Sequence, residues 1–195
     1  MSSVSVIEKT PLPPPKRARE RILHAAEELA RSEGAGNISL DAVAARAGVS
    51  KGGLLYHFPT KAKLLEALVE QFLATLNSEL NDRERQSGGI PNATARAYLE
   101  IMIDEQVCRQ PPPSGLLAAL AENPDFLNPV RRFDRQLLDR MKANASDPAL
   151  AVLVFLVMQG IKSGQLLNVE TIDAGEFNAV ITRLREMLGT SGDRD

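Results

Sequence analysis

The sequence predicts an all-α protein of about nine helices, with a small N-terminal domain of three helices and a larger helical C-terminal domain. Apolar residues recur three and four positions apart through most of the 195 residues, which is the spacing of amphipathic helices. Proline- and glycine-rich breaks separate these segments. No segment alternates apolar and polar residues as a half-buried strand would.

Three regions follow from these breaks. Residues 1–15 contain the run PLPPP, which cannot form a helix and predicts a flexible, extended tail. Residues 16–60 form the predicted three-helix domain, and its first helix ends near residue 32 because glycines follow it. Residues 61–195 form the larger helical domain.

The centre of the small domain is the segment 38–63, which reads ISLDAVAARAGVSKGGLLYHFPTKAK. Ser39 is expected to cap a short helix, and Gly48 supplies the sharp turn after it. Ser50 is expected to cap a second short helix, which Pro59 ends. Two short helices joined by a tight turn containing glycine predict a helix-turn-helix.

The composition of the second helix indicates contact with a nucleic acid. Two glycines in its first turn each cost about 1 kcal/mol relative to alanine, and close approach to another surface is the simplest compensation. Side chains that suit phosphate oxygens follow them. The residues expected at DNA are Ser39, Ser50, Lys51, Gly52, Gly53, Tyr56, His57 and Lys61.

The run AVAARAGVSKGGLLYHFPTKAKLLEAL resembles the DNA-binding signature of the TetR family, in which A-x-x-A-G-V-S precedes a recognition helix ending in aromatic-His-Phe. The match covers about residues 16–68. Leu55 stands where many members have Tyr, so Tyr56 is expected to contact that phosphate. The resemblance implies a homodimeric transcriptional regulator, most often a repressor, that binds a palindromic operator in double-stranded DNA and is released by a small effector.

The distribution of charge agrees with DNA binding by one end of the protein. Nine basic and five acidic residues between positions 16 and 63 give that region +4, whereas the whole chain carries −2. The lone Cys108 excludes an internal disulfide and a cysteine metal cluster, and no signal-peptide pattern opens the chain. The most apolar stretch, 149–158, is too short to span a bilayer. We therefore expect a cytoplasmic protein with no membrane partner.

The resemblance also implies an effector cavity among four long helices of the larger domain. Considered from the residues alone, apolar side chains at helical spacing are more often core than pocket, about three to one. The side chains that could line it are Phe72, Leu76, Tyr98, Met102, Phe133, Leu137, Met141, Phe155, Met158 and Gln159. Few charged residues share these faces, which predicts an apolar or amphipathic effector.

The last two predicted helices, 148–167 and 173–188, are the expected homodimer interface. Their apolar stripes exceed what one face of a small body can cover, and TetR-like dimers pair the equivalent helices into a four-helix bundle. A dimer also suits the readout, because two helix-turn-helix units about 34 Å apart read a palindrome.

Enzyme functions lack support. The sequence has no P-loop, no G-x-S-x-G and no H-E-x-x-H, and two histidines and one cysteine leave no catalytic residue, metal site or cofactor to propose. An RNA reader is disfavoured by the 4% aromatic content. The remaining alternative is a helical dimeric adaptor without DNA readout, which explains the helices but not the phosphate-binding pattern around Tyr56 and His57.

Overall fold

The computed structural model describes residues 15–33, 38–107, 127–167, 169 and 171–190, and these residues form eight helices and no strand. The prediction of an all-α fold is confirmed. The sequence also predicts a short helix at 115–122, and this segment and residues 1–14 lie outside the described residues. In chain order the helices are α1 (Pro15–Glu33), α2 (Leu40–Ala47), α3 (Lys51–His57), α4 (Lys61–Gln86), α5 (Ala93–Val107), α6 (Asn128–Ala143), α7 (Pro148–Leu167) and α8 (Ala174–Thr190).

Helices α1, α2 and α3, with the first turns of α4, form a domain that we call the head. Its core is aliphatic apart from Phe58, and it draws on every one of these helices. The fully or nearly fully buried side chains include Ile22, Ala26, Val43, Leu54 and Leu64. Burial of this shared core holds α2 and α3, which have 8 and 7 residues and would be marginal in isolation.

Helix α4 joins the head to the rest of the chain. Leu64 and Leu65 near its start are buried in the head core, whereas Leu76 and Leu80 are buried in a second core. Its sequence predicts an end near residue 82, and the helix continues four residues further, to Gln86. Arg83 supports the extra turn, because its guanidinium pairs with Glu79 and with Asp104 of α5 at 2.7 Å each.

The second half of α4 and helices α5 to α8 form a larger unit that we call the body. Tyr98 of α5 is fully buried at its centre. Helix α7 contributes Leu150, Ala151, Val154 and Met158 to the same core, which agrees with its nearly continuous apolar sequence. The bounds of α7 are those predicted, and α8 is one residue shorter at its start and two longer at its end than predicted.

Buried polar contacts close the far end of the body. Asn92, which takes a positive φ of 63° just before α5, donates from its side chain to Ser146 and to the Leu188 carbonyl, both at 3.1 Å. The Arg96 guanidinium donates to the same Leu188 carbonyl at 2.6 Å. These bonds satisfy a carbonyl in the last turn of α8 and fix that helix against α5. Over the part of the chain that is described, no helix is long and apolar enough to cross a membrane.

Candidate nucleic-acid interface

The turn between α2 and α3 has the geometry that the sequence predicted. The Ser39 hydroxyl accepts a hydrogen bond from the Ala42 amide at 3.1 Å and so caps α2. Gly48 ends the helix in the left-handed region, with φ of 63°. The Arg21 guanidinium of α1 donates to the Gly48 carbonyl at 3.1 Å and thereby ties the turn to the head.

Helix α3 presents one face to the head core and the other to solvent. The Ser50 hydroxyl caps it by accepting from the Gly53 amide at 3.1 Å. Leu54 and Phe58, four residues apart, are buried, whereas Tyr56 is 83% exposed. The exposed face therefore carries the side chains that the sequence assigned to DNA.

The two glycines of α3 differ in what surrounds them. A Cβ atom added to Gly52 would meet nothing within 4 Å, so the bare backbone there faces open space. A Cβ atom added to Gly53 would lie 3.2 Å from the Ser50 hydroxyl, the capping group. Gly52 thus leaves room for another surface to approach the first turn, and Gly53 in addition leaves room for the cap.

Lys51 forms an ion pair that the sequence reasoning missed. Its ammonium lies 2.9 Å from a carboxylate oxygen of Asp41, in the first turn of α2. Both side chains are more than half exposed, so the pair is a surface contact. An acidic residue near a helix start is explained by the helix dipole alone, and for this reason the sequence did not indicate the partner.

Other basic side chains lie near the exposed face of α3. His57 is half-buried in its last turn, with its ring edge-to-face against that of Tyr56 at 5.1 Å between centroids. Lys61 is half-buried at the start of α4.

Lys63, two residues further along α4, donates to Glu66 at 2.6 Å, and this hydrogen bond raises the pKa of the Lys63 ammonium above its usual value. The Arg19 guanidinium of α1 lies 5.4 Å from the centroid of the Phe58 ring.

Most of the residues expected to line an effector cavity lie in the body core. Phe133 and Phe155 are partly buried against that core, and Gln159 donates to Asp134 at 2.6 Å. Phe72 lies apart from them at the surface, 52% exposed. Those buried together in the core are Leu76, Tyr98, Met102, Leu137, Met141 and Met158.

A cavity of about 390 Å³ lies between α4 and α6, and we call it the α4–α6 groove. Its apolar floor includes Leu73, Leu80, Phe133 and Leu137, so it shares Phe133 and Leu137 with the predicted pocket. Its polar rim includes Glu70, Asn77, Arg132, Gln136 and Arg140. The prediction from the sequence did not include this rim. It was based on apolar periodicity, which does not show which polar side chains of two helices lie next to each other.

Comparisons with known proteins agree with this architecture. Residues 22–68 match the family described as "Bacterial regulatory proteins, tetR family", and residues 92–189 match "Tetracyclin repressor-like, C-terminal domain". The chain belongs to the TetR family. Members of this family are DNA-binding regulators, so the protein is a DNA-binding transcriptional regulator and not an enzyme.

Solved structures share the fold at low identity. A TetR-family transcriptional regulator from Streptomyces coelicolor is 21% identical with a TM-score of 0.68, over 89% of this chain and 94% of that one. The multidrug binding protein EbrR complexed with ethidium is 24% identical with a TM-score of 0.62, over 86% and 98% of the two chains. Both likenesses concern the fold.

Among curated proteins, the nucleoid occlusion factor SlmA of Haemophilus ducreyi is 34% identical over 95 residues. The match covers 48% of this chain and 45% of that protein. The chain thus matches less than half the length of this curated relative.

Proposed function

We propose that this protein is a homodimeric transcriptional repressor that reads a palindromic operator and leaves it when a small effector binds the body. The observation that carries the proposal is the exposed face of α3. Its first helical turn leaves Gly52 uncovered, beside the exposed side chains of Lys51 and Tyr56. A helix N-terminus with open backbone can approach the major groove closely. Its partner is DNA, so the site of action that we propose is the cytoplasm.

Two roles are proposed for the DNA-binding residues. Ser50 and Lys51 lie in the exposed first turn of α3 and would meet base edges, with Gly52 and Gly53 allowing close approach. Phosphate contacts would come from hydroxyl, imidazole and ammonium groups around that turn, and they would position the head without reading sequence. The proposed phosphate-binding residues are Ser39, Tyr56, His57 and Lys61.

The proposed dimer interface is the uncovered side of α7 and α8. Leu153 and Leu156 of α7 are 43% and 60% exposed, and Val180 of α8 is 38% exposed. Gly160, also exposed, continues the α7 stripe one turn further and would allow close helix approach. Two such faces related by a two-fold axis would bury these side chains in a four-helix bundle.

The proposed effector site lies in the body. TetR-like proteins enclose ligands there, and the structural neighbour EbrR is a multidrug binding protein. The side chains that we propose as candidates remain the ten predicted from the sequence. Among them, Phe133 and Leu137 have the strongest support, because they line the α4–α6 groove.

Selection of bound sequences from a random DNA pool by the purified protein tests this function. We expect enrichment of a palindrome whose half-sites lie about one DNA turn apart. A dimer in solution that enriches no sequence would contradict the DNA-reading role and favour the adaptor alternative. The enriched operator then allows a release assay against candidate effectors.

A further inference from the structure

We infer that the α4–α6 groove binds a small amphipathic anion, whose apolar body covers the floor and whose acidic group pairs with Arg132. The inference deepens the proposed function, on which it rests for the regulatory role of the ligand. It narrows the expected effector from an apolar or amphipathic molecule to one that carries a negative charge.

The shape of the groove suits a small molecule. Its volume of about 390 Å³ falls within the range of about 300–1,000 Å³ that is usual for ligand sites. Leu73 of α4 and Phe133 of α6 are only partly buried, so apolar surface is open to a ligand. Covering that surface supplies affinity that does not depend on the head group of the ligand.

The charge of the groove points to an anion. Helix α6 carries four arginines, and three of them have partners: Arg131 donates to Asn128, Arg135 pairs with Asp139, and Arg140 binds Glu84, Asn77 and Asn81. Arg132 makes no ion pair or hydrogen bond with any other described residue, and it lies on the groove rim. A guanidinium beside apolar surface is well suited to a carboxylate, which it binds through two parallel hydrogen bonds.

The other charged groups on the rim do not cancel Arg132. The Arg140 guanidinium is neutralised by Glu84. Glu70 is the acidic residue among the lining side chains, and no ion pair within 4.0 Å joins its carboxylate to Arg132 in the described part of the chain. The cation left without a counterion in the described part of the groove is therefore Arg132.

The groove is placed where a ligand could affect DNA binding. The α4 residues that line it run from Glu70, directly after the part of α4 that packs in the head core, to Leu80, which is buried in the body core. A ligand there would contact the helix that both units share. Because α4 packs in both cores, we expect occupancy of the groove to bias the position of the head.

The test compares three ligands with one alkyl chain: octanoate, octanol and octylammonium. Binding to the full-length protein is measured by calorimetry without DNA at about pH 7.5, where the acid and the amine are both charged. We expect octanoate to bind about tenfold tighter than octanol, because a hydrogen bond to a charged group has about that effect, and octylammonium to bind weakest.

Variants locate the site. Arg132→Gln should reduce octanoate affinity about tenfold and leave octanol affinity unchanged. The matched control is Arg131→Gln, one residue away and outside the groove, which should change neither. Ala74→Phe should weaken all three ligands, because Ala74 is exposed and lines the groove, so the larger side chain fills it without disturbing the core.

Equal affinity for the three ligands, a preference for octylammonium, or unchanged octanoate binding by Arg132→Gln would overturn the inference. DNA binding is measured separately on the same preparations by fluorescence anisotropy with the enriched operator. If the groove binds no anion, operator binding should still be observed. If the protein does not read DNA, the calorimetric comparison still tests the groove, because it is made without DNA.

Discussion

The helix starts of the head and the far end of the body are fixed by polar contacts of different reach along the chain. In the head, Ser39, Ser50 and Thr60 each cap a helix by accepting from an amide three residues later. In the body, Asn92 and Arg96 bond to the carbonyl of Leu188, which is 96 and 92 residues away. The helix starts of the head are thus set locally, and the end of the body is set by distant partners.

This difference indicates where each unit tolerates change. A local cap depends on a short run of sequence and keeps its geometry whatever the rest of the chain does. A contact across 96 residues requires both helices to be placed first, and a buried group that loses its partner is costly. We therefore expect head variants to alter DNA binding with little loss of stability. We expect variants of the body network to lower the free energy of unfolding with little direct effect on DNA binding.

The largest effect should come from Gly52→Leu in the head. The new side chain enters open space, so the fold should be retained, and leucine is the better helix former by about 1 kcal/mol. On DNA the same side chain blocks close approach, and operator affinity should fall about a thousandfold toward the non-specific level. Fluorescence anisotropy and urea denaturation measure the two effects. Gly52→Ala serves as the graded control, and wild-type affinity in Gly52→Leu would show that this turn does not face DNA.

The next largest effect should come from Asn92→Ala in the body. The substitution leaves the Ser146 amide without its acceptor, removes one donor to Leu188, and places alanine at a positive φ. The free energy of unfolding should fall by about 3 kcal/mol, measured by urea denaturation at fixed protomer concentration.

Two controls interpret that measurement. Asn92→Gly removes the bonds but permits the positive φ, so the difference between the two variants gives the backbone strain less the entropy that glycine adds to the unfolded chain. Ser39→Ala removes one local cap from the head and should cost only about 1 kcal/mol. A loss below about 1 kcal/mol for Asn92→Ala would contradict the importance of the long-range network.

A smaller effect is expected for Lys61→Ala. If its ammonium binds a phosphate, affinity for all DNA sequences should fall, and the dependence of log affinity on log salt should flatten by about one unit. Titrations at several salt concentrations measure this slope. Arg131→Ala, an exposed site on α6, is the control in the body and should not change it. An identical slope in Lys61→Ala would remove Lys61 from the phosphate contacts.

The smallest effect is expected for Asp41→Asn. The change releases Lys51 from its surface ion pair, a contact of about 0.2–1 kcal/mol, and removes a negative charge beside the DNA face. Affinity for random-sequence DNA should rise a few-fold, so discrimination in favour of the operator should narrow. Asp139→Asn makes the same charge change on the exposed surface of α6, where it also breaks a surface ion pair, and should have no effect. Weaker binding by Asp41→Asn would indicate that Asp41 itself contacts a base.

The candidate DNA site could be predicted from sequence because its signals are short-range. Ser39 and Ser50 cap the helices as expected, and Gly48 takes the expected positive φ. Their roles in DNA contact stay predictions. The Asp41–Lys51 pair was not predicted, because its geometry depends on the angle between α2 and α3, which no local pattern encodes.

In the body, the sequence predicted the helices but not the site. Apolar periodicity located its helices, and the bounds of α7 agree with the prediction. The same periodicity could not separate core from cavity lining, because Tyr98 and Phe133 look alike on an apolar stripe. In the structure Tyr98 is fully buried, whereas Phe133 lines the α4–α6 groove.

By itself, the sequence determined the all-α class, the caps, the turn and the TetR-type head, since each depends on residues within a few positions of one another. The tertiary structure alone decided which of the α6 arginines borders a groove. Arg131 and Arg132 are neighbours in sequence, yet Arg131 binds Asn128 and Arg132 borders the groove. The physical reason is that the groove lies between side chains of two helices, α4 and α6, which approach each other only when the chain has folded.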